Sequence, residues 1–90
     1  MNRLLYFTRD ACPACFHMNT IMTMLKYEGH LIDTIKCTEK DDKNRELSEK
    51  YAVEFFPMVI KVDEEGNVIS KVSGYRERTE LLEKLGEINE

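Results

Sequence analysis

From Ala14 to Glu28 the chain carries neither proline nor glycine, and Cys15, Met18, Met22 and Leu25 recur along it at three- and four-residue intervals. Side chains at that spacing stack on one face of an α-helix, so Pro13 to Glu28 is predicted to be a helix with a single apolar stripe. Ile21 and Met24 are expected to widen the stripe, and Gly29 stands where such a helix would be capped. The head of the helix reads Cys12-Pro13-Ala14-Cys15. Pro13 falls in the first turn, where a missing N–H costs nothing and the ring pre-sets the helical φ.

The surroundings of this helix follow from the same kind of reading. Arg3 to Phe7 is a short run of strand formers and is expected to be a buried first strand; Thr8-Arg9-Asp10-Ala11 is a polar connection to the helix. Leu31 to Cys37 mixes β-branched and polar residues as a second strand does, and a second helix is predicted over Asp42 to Ala52, with Leu47, Tyr51 and Ala52 as a thin apolar face. Met58 to Val62 and Asn67 to Val72 flank Asp63-Glu64-Glu65-Gly66 as the arms of a hairpin with a four-residue turn. Glu77 to Ile88 closes the chain as a helix with Leu81, Leu82, Leu85 and Ile88 on one face. The order β-α-β-α-β-β-α calls for one parallel pair joined by a crossover and then an antiparallel hairpin. The expected class is therefore α/β, a mixed four-stranded sheet with helices on both faces, in one domain over residues 1–90.

With 90 residues there is no room for a second core of useful size. A composition 42% hydrophobic and 33% charged supports both a core and a solvated surface, and the longest apolar runs fall far short of a membrane span. A net charge of -4 without a cluster of lysine and arginine argues against nucleic acid as a partner. The N-terminus lacks the apolar stretch of a secretory signal, so a cytoplasmic monomer is expected. In a reducing compartment, three cysteines with two at a Cys-x-x-Cys spacing point to redox chemistry or metal binding rather than to a permanent staple. The odd count also prevents full internal pairing.

The chemistry of the motif follows from its place. Unpaired N–H groups and the positive end of the helix dipole favour an anion at Cys12, so its thiol should ionise more readily and act as the attacking nucleophile. Cys15 lies one turn inside, on the buried stripe, and is the natural resolving thiol. Cys12 would attack a substrate disulfide, and Cys15 would then attack the mixed disulfide and release the reduced substrate. Arg9 would help the thiolate and Asp10 oppose it, if either comes near. Half a zinc site has the same Cys-x-x-Cys spacing, but a closed site needs four ligands and only Cys37, His17 and His30 remain to complete one. Five residues beyond Cys12, His17 is not placed beside the helix terminus, and both histidines are expected at the surface. No metal and no bound cofactor are expected.

A βα unit opening on Cys12-Pro13-Ala14-Cys15, the Phe56-Pro57 step directly before the third strand and Gly74 just after the fourth together resemble the thioredoxin superfamily, over nearly the whole chain. The resemblance implies a thioredoxin-like fold in which Pro57 is cis and faces the redox motif, with the backbone of Phe56 offered to an extended substrate. Pro13, Phe56, Pro57, Gly74 and Tyr75 are the residues expected to meet that substrate. Proline after the first cysteine and the short length are similar to glutaredoxins, yet Ser73-Gly74-Tyr75-Arg76 lacks the Gly-Gly and following Asp with which glutaredoxins hold glutathione. Ala11 stands where thioredoxins place a tryptophan, and the first strand contains no acid where thioredoxins bury a carboxylate. Proton transfer to and from Cys15 would then rely on water or another group.

Cys37, at the end of the second strand, falls on the sheet edge that carries ligand sites, but as a small buried hydrophobe it needs no redox role. Phe55, Phe56, Met58 and Tyr75 stand either as an apolar rim for protein substrates or as partial core. Two functions fit the sequence. One is a thiol–disulfide oxidoreductase, a thioredoxin- or glutaredoxin-like electron donor to disulfide-containing proteins, re-reduced by a thioredoxin-reductase-type enzyme or by glutathione. The other is a non-catalytic thioredoxin-fold protein-binding module.

Overall fold

The first strand, β1 (Arg3–Thr8), is buried at five of its six residues, because it has a strand on each edge and side chains packed over both faces. The computed structural model describes residues 1–38 and 40–86 and sets three more strands around it. These are β2 (Ile32–Lys36), β3 (Met58–Val62) and β4 (Val68–Ser73), in the order β2-β1-β3-β4. β1 and β2 are parallel, with Leu4 opposite Ile32 and Thr8 opposite Lys36. A parallel pair cannot be closed by a tight turn, and the crossover is α1 (Pro13–Tyr27). β3 runs antiparallel to β1 and to β4, with a register shift between Lys61 and Val62.

Alternation along β1 builds two cores. Leu4 and Tyr6 join Met18, Met22 and Leu25 of α1, Val59, Val72, and Leu81 and Leu85 of α3 (Arg78–Leu85). Leu5 and Phe7 point the other way and join Ile35, Met58, Ile60 and Val62, over which α2 (Asp42–Lys50) lays Leu47, with Tyr51 and Val53 following it. Each such apolar side chain taken out of water contributes roughly 1.5–3 kcal/mol, so helices on both faces are what this strand pattern demands. The mixed four-stranded thioredoxin-like α/β fold expected from the sequence is the fold observed.

The differences lie at element ends. The buried residues of α1 are Cys15, Met18, Met22 and Leu25, and Ile21 packs partly against the core, but Met24 is 46% exposed and does not widen the stripe. At 100° per residue, Met24 stands about 140° round the helix from the middle of the stripe and Ile21 about 80°. The helix ends where Gly29, at φ 100°, donates to Lys26 O and His30 N–H reaches back to Leu25 O. α2 stops at Lys50 and not Ala52, because Ala52 adopts φ 53° and the N–H groups of Ala52 and Val53 close on Glu49 O and Ser48 O. None of its residues is fully buried. α3 begins at Arg78 and ends at Leu85, where Gly86 at φ 75° bonds Leu82 O; Ile88 lies outside the described residues. β4 begins one residue later than expected because Asp63 takes the N–H of Asn67 into the turn.

Candidate active site

β1 delivers the chain to Thr8, and Arg9, Asp10 and Ala11 turn it into α1. Ala11 has φ 53°, a left-handed backbone that costs a non-glycine residue about 1–2 kcal/mol, and the turn it makes leads Cys12 to the helix terminus. Cys12 is the N-cap in extended conformation, with Pro13 in the first turn, as the sequence predicts. Its Sγ accepts the Cys15 N–H at 3.2 Å, so a backbone donor of the first turn is aimed at this sulfur. The two cysteines are joined at disulfide distance, with Cα atoms 5.1 Å apart. Cys12 is half-buried and Cys15 only 1% exposed, so just one of the two sulfurs can be approached. Among the described residues no cluster of His, Cys, Asp and Glu is arranged to hold a metal ion.

Residues far along the chain close the site. The Phe56-Pro57 bond is cis, and the Phe56 carbonyl oxygen lies 3.8 Å from Cys12 Sγ. In the disulfide this is a contact; a reduced thiol there could donate to it. Pro57 is buried, and its own carbonyl accepts the Gly74 N–H at 2.8 Å, tying the turn after β4 to the start of β3. Gly74 takes φ 82°, and a Cβ on it would meet the Arg76 guanidinium at 3.3 Å. Tyr75 is half-buried, packs against the α1–α3 core and meets His17 edge-on at 5.9 Å; His17 meets Phe16 at 5.8 Å. Phe16 and Phe55 are 73% and 65% exposed, Phe56 is half-buried and Met58 is core. Of the four apolar residues weighed as rim or partial core, Phe55 is exposed, Phe56 and Tyr75 pack partly against the two cores, and Met58 is core.

A family model described as the thioredoxin-like domain matches residues 2–89. The chain belongs to that family. Among solved structures it is similar to thioredoxin-2 of a malaria parasite, a component of protein secretion machinery, at 27% identity and TM-score 0.72, covering 92% of this chain and 79% of the other. Fasciola hepatica thioredoxin superimposes with TM-score 0.78 at 21% identity, over 93% and 77% of the two chains. The exposed lipoprotein thioredoxin of Streptococcus pneumoniae gives 0.74 at 20% identity, over 93% and 82%. No curated protein matches the sequence. Proteins of the thioredoxin fold generally act on disulfide substrates.

Within this member of the family, the charged neighbours of the motif are turned to other partners. The Arg9 guanidinium lies 5.3 Å over the Phe56 ring, and Asp10 pairs with Lys36 at 2.8 Å. Cys37 lies one residue past β2, with its N–H on Thr8 O and its sulfur half-buried against the α2 core. Burial pushes its thiol up, with a smaller push from Asp41 and an opposing hydrogen bond to Ser48. Sequence reasoning passed over Tyr6, Asn19 and Phe16. The Tyr6 hydroxyl, 2% exposed as a residue, donates toward Cys15 O at 3.2 Å and Asn19 Oδ1 at 2.5 Å. Phe16 could have been noticed as an aromatic residue off the apolar stripe directly after Cys15; Tyr6 and Asn19 gave no comparable signal.

Proposed function

We propose that this chain is a thiol–disulfide oxidoreductase that reduces protein disulfides, with Cys12 as nucleophile and Cys15 as resolving thiol. The observation that carries the reading is the juxtaposition at the head of α1: Cys12 and Cys15 at disulfide distance, one half-exposed and one buried, with the Phe56 carbonyl beside Cys12. An extended substrate segment lying along Phe56 and Pro57 would bring its disulfide to Cys12, whose cleft Pro13 and Phe16 also line, with Phe55 and Tyr75 as further contacts. Gly74 would act by holding Pro57 through its N–H. The sulfur of Cys12 attacks the substrate disulfide, one substrate sulfur leaves as thiolate, and the Cys15 sulfur, giving its proton to solvent, displaces the second.

The reading has the domain work as a cytoplasmic electron donor, re-reduced by a thioredoxin-reductase-type enzyme or by glutathione. Cys12→Ser should abolish insulin reduction, and Cys15→Ser should accumulate a mixed disulfide. Insulin reduction by the Cys12 variant at the wild-type rate would remove the assignment. Turnover measured separately with a thioredoxin reductase and with glutathione plus its reductase identifies the electron source.

A further inference from the structure

Tyr6 is a buried titratable side chain that the reaction above does not use. It is one of the largest fully buried residues, and its ring belongs to the core with Met18 and Met22 of α1. Its hydroxyl lies beneath the redox turn, 3.2 Å from Cys15 O and 2.5 Å from Asn19 Oδ1. One hydroxyl has one proton, so the two oxygens share a single donor. Burial raises the phenol above its ordinary ionisation range, against a smaller opposing effect of the buried Thr8, so it stays a neutral donor. Asn19 lines both the cleft that reaches Tyr6 and Thr8 and the one in which Cys12 and Cys15 lie.

Resting on the oxidoreductase reading, we infer that Tyr6 is a positioning residue for the resolving thiol. Cys15 is held from two directions: its N–H is directed at Cys12 Sγ, and its carbonyl lies 3.2 Å from the Tyr6 hydroxyl of β1, whose one proton it shares with Asn19 Oδ1. While the disulfide is closed the covalent bond holds Cys15 in place. Once it opens and Cys12 carries a substrate sulfur, the Tyr6 clamp is what keeps the first turn of α1 seated on the sheet with Cys15 beneath Cys12. Removing the hydroxyl leaves the ring, and therefore the packing, and loosens the one residue that must close the ring. The step affected is the second displacement, in which the Cys15 thiol gives its proton to solvent, its sulfur bonds to the Cys12 sulfur, and the substrate sulfur leaves with the electron pair. A net buried hydrogen bond corresponds to about a tenfold change in such an equilibrium or rate.

The test uses the reduced protein in a Cys37→Ala background with one equivalent of dithiobis-nitrobenzoate. Attack by Cys12 releases a first thionitrobenzoate, and attack by Cys15 releases a second. Tyr6→Phe should leave the first release unchanged and slow the second about tenfold. Its ring-closure constant against glutathione should fall by the same factor, raising the reduction potential by about 30 mV. Asn19→Ala leaves the hydroxyl wholly to the Cys15 carbonyl, and its second release should stay within about twofold of wild type. A second release in Tyr6→Phe at the parental rate overturns the inference, as does equal slowing of both releases. Tenfold slowing in Asn19→Ala also overturns it, by assigning the effect to the Asn19 bond. Absence of any first release in the parent protein would instead overturn the oxidoreductase reading itself.

Discussion

The reduced protein, treated with iodoacetamide at pH 7, is expected to lose Cys12 first, Cys37 well behind it and Cys15 last. The order can be worked out from where each sulfur sits. Cys37 is half-buried and pushed above the ordinary value of 9.0, chiefly by that burial. A thiol at that ordinary value is about 1% ionised at pH 7, so Cys37 presents less than this. The Cys12 sulfur faces the Cys15 N–H at 3.2 Å in the first turn of α1. Thiols at helix N-termini titrate at roughly 3.5–7.5, so even the weakest of them is about one-quarter ionised at pH 7. The thiolate ratio therefore favours Cys12 by at least about 25-fold. A less basic thiolate is intrinsically less reactive, and a Brønsted slope of about 0.4–0.5 takes back about fivefold. For a thiol at the weak end of that range a net preference of about fivefold remains, and Cys15, 1% exposed, should scarcely react. A quenched time course analysed by peptide mass spectrometry reads all three rates. Alkylation of Cys37 as fast as Cys12 would refute the argument that the helix terminus activates Cys12.

Leu81 is fully buried between α3 and the sheet, so Leu81→Ala should lower the unfolding free energy by about 2–5 kcal/mol, visible as an earlier urea midpoint with an unchanged slope. Asp63 accepts the N–H groups of Asn67 and Glu65, each at 2.9 Å, and the Asn67 bond is the main cause of its lowered pKa. A carboxyl lowered by folding stabilises above its unfolded pKa, and that stability is lost as pH falls through the folded value. Urea midpoints should accordingly drop more steeply below about pH 4 in wild type than in Asp63→Asn, and parallel curves would remove the turn carboxylate as the cause. Arg78 grips Glu28 through Nε and Nη2 at 3.1 and 2.8 Å, linking α3 to the end of α1, but both side chains are about 40% exposed. Arg78→Ala should cost no more than about 1 kcal/mol by chemical denaturation, and a larger loss would mean the pair does more than a surface bridge can.

Residues a few positions apart carried most of the fold. The spacing of Cys15, Met18, Met22 and Leu25 named the four buried residues of α1, and the Asp63–Gly66 turn placed the β3–β4 hairpin to within a residue, because helical period and turn chemistry are local properties. Cys12 at the N-cap with Pro13 behind it was legible for the same reason. End points were less so: Ala52 and Gly86 leave their helices through left-handed backbone, and at Ala52 nothing in the residue type announces it.

The site was legible only by half. The cysteine pair and the Phe56-Pro57 step can be read from sequence, but the contact between Phe56 O and Cys12 Sγ spans 44 residues and exists because β1 and β3 pair in one register. The Gly74 bond to Pro57 likewise depends on how β4 is laid beside β3. Tyr6 is an ordinary strand residue until α1 packs across β1 and lowers the Cys15 carbonyl onto its hydroxyl. Local pattern thus determined which segments form and where the Cys12 sulfur sits at the head of α1. Only the packing of segments distant in the chain decided what surrounds that sulfur, since hydrogen bonds and contacts at 3–4 Å require positions that no short stretch of sequence controls.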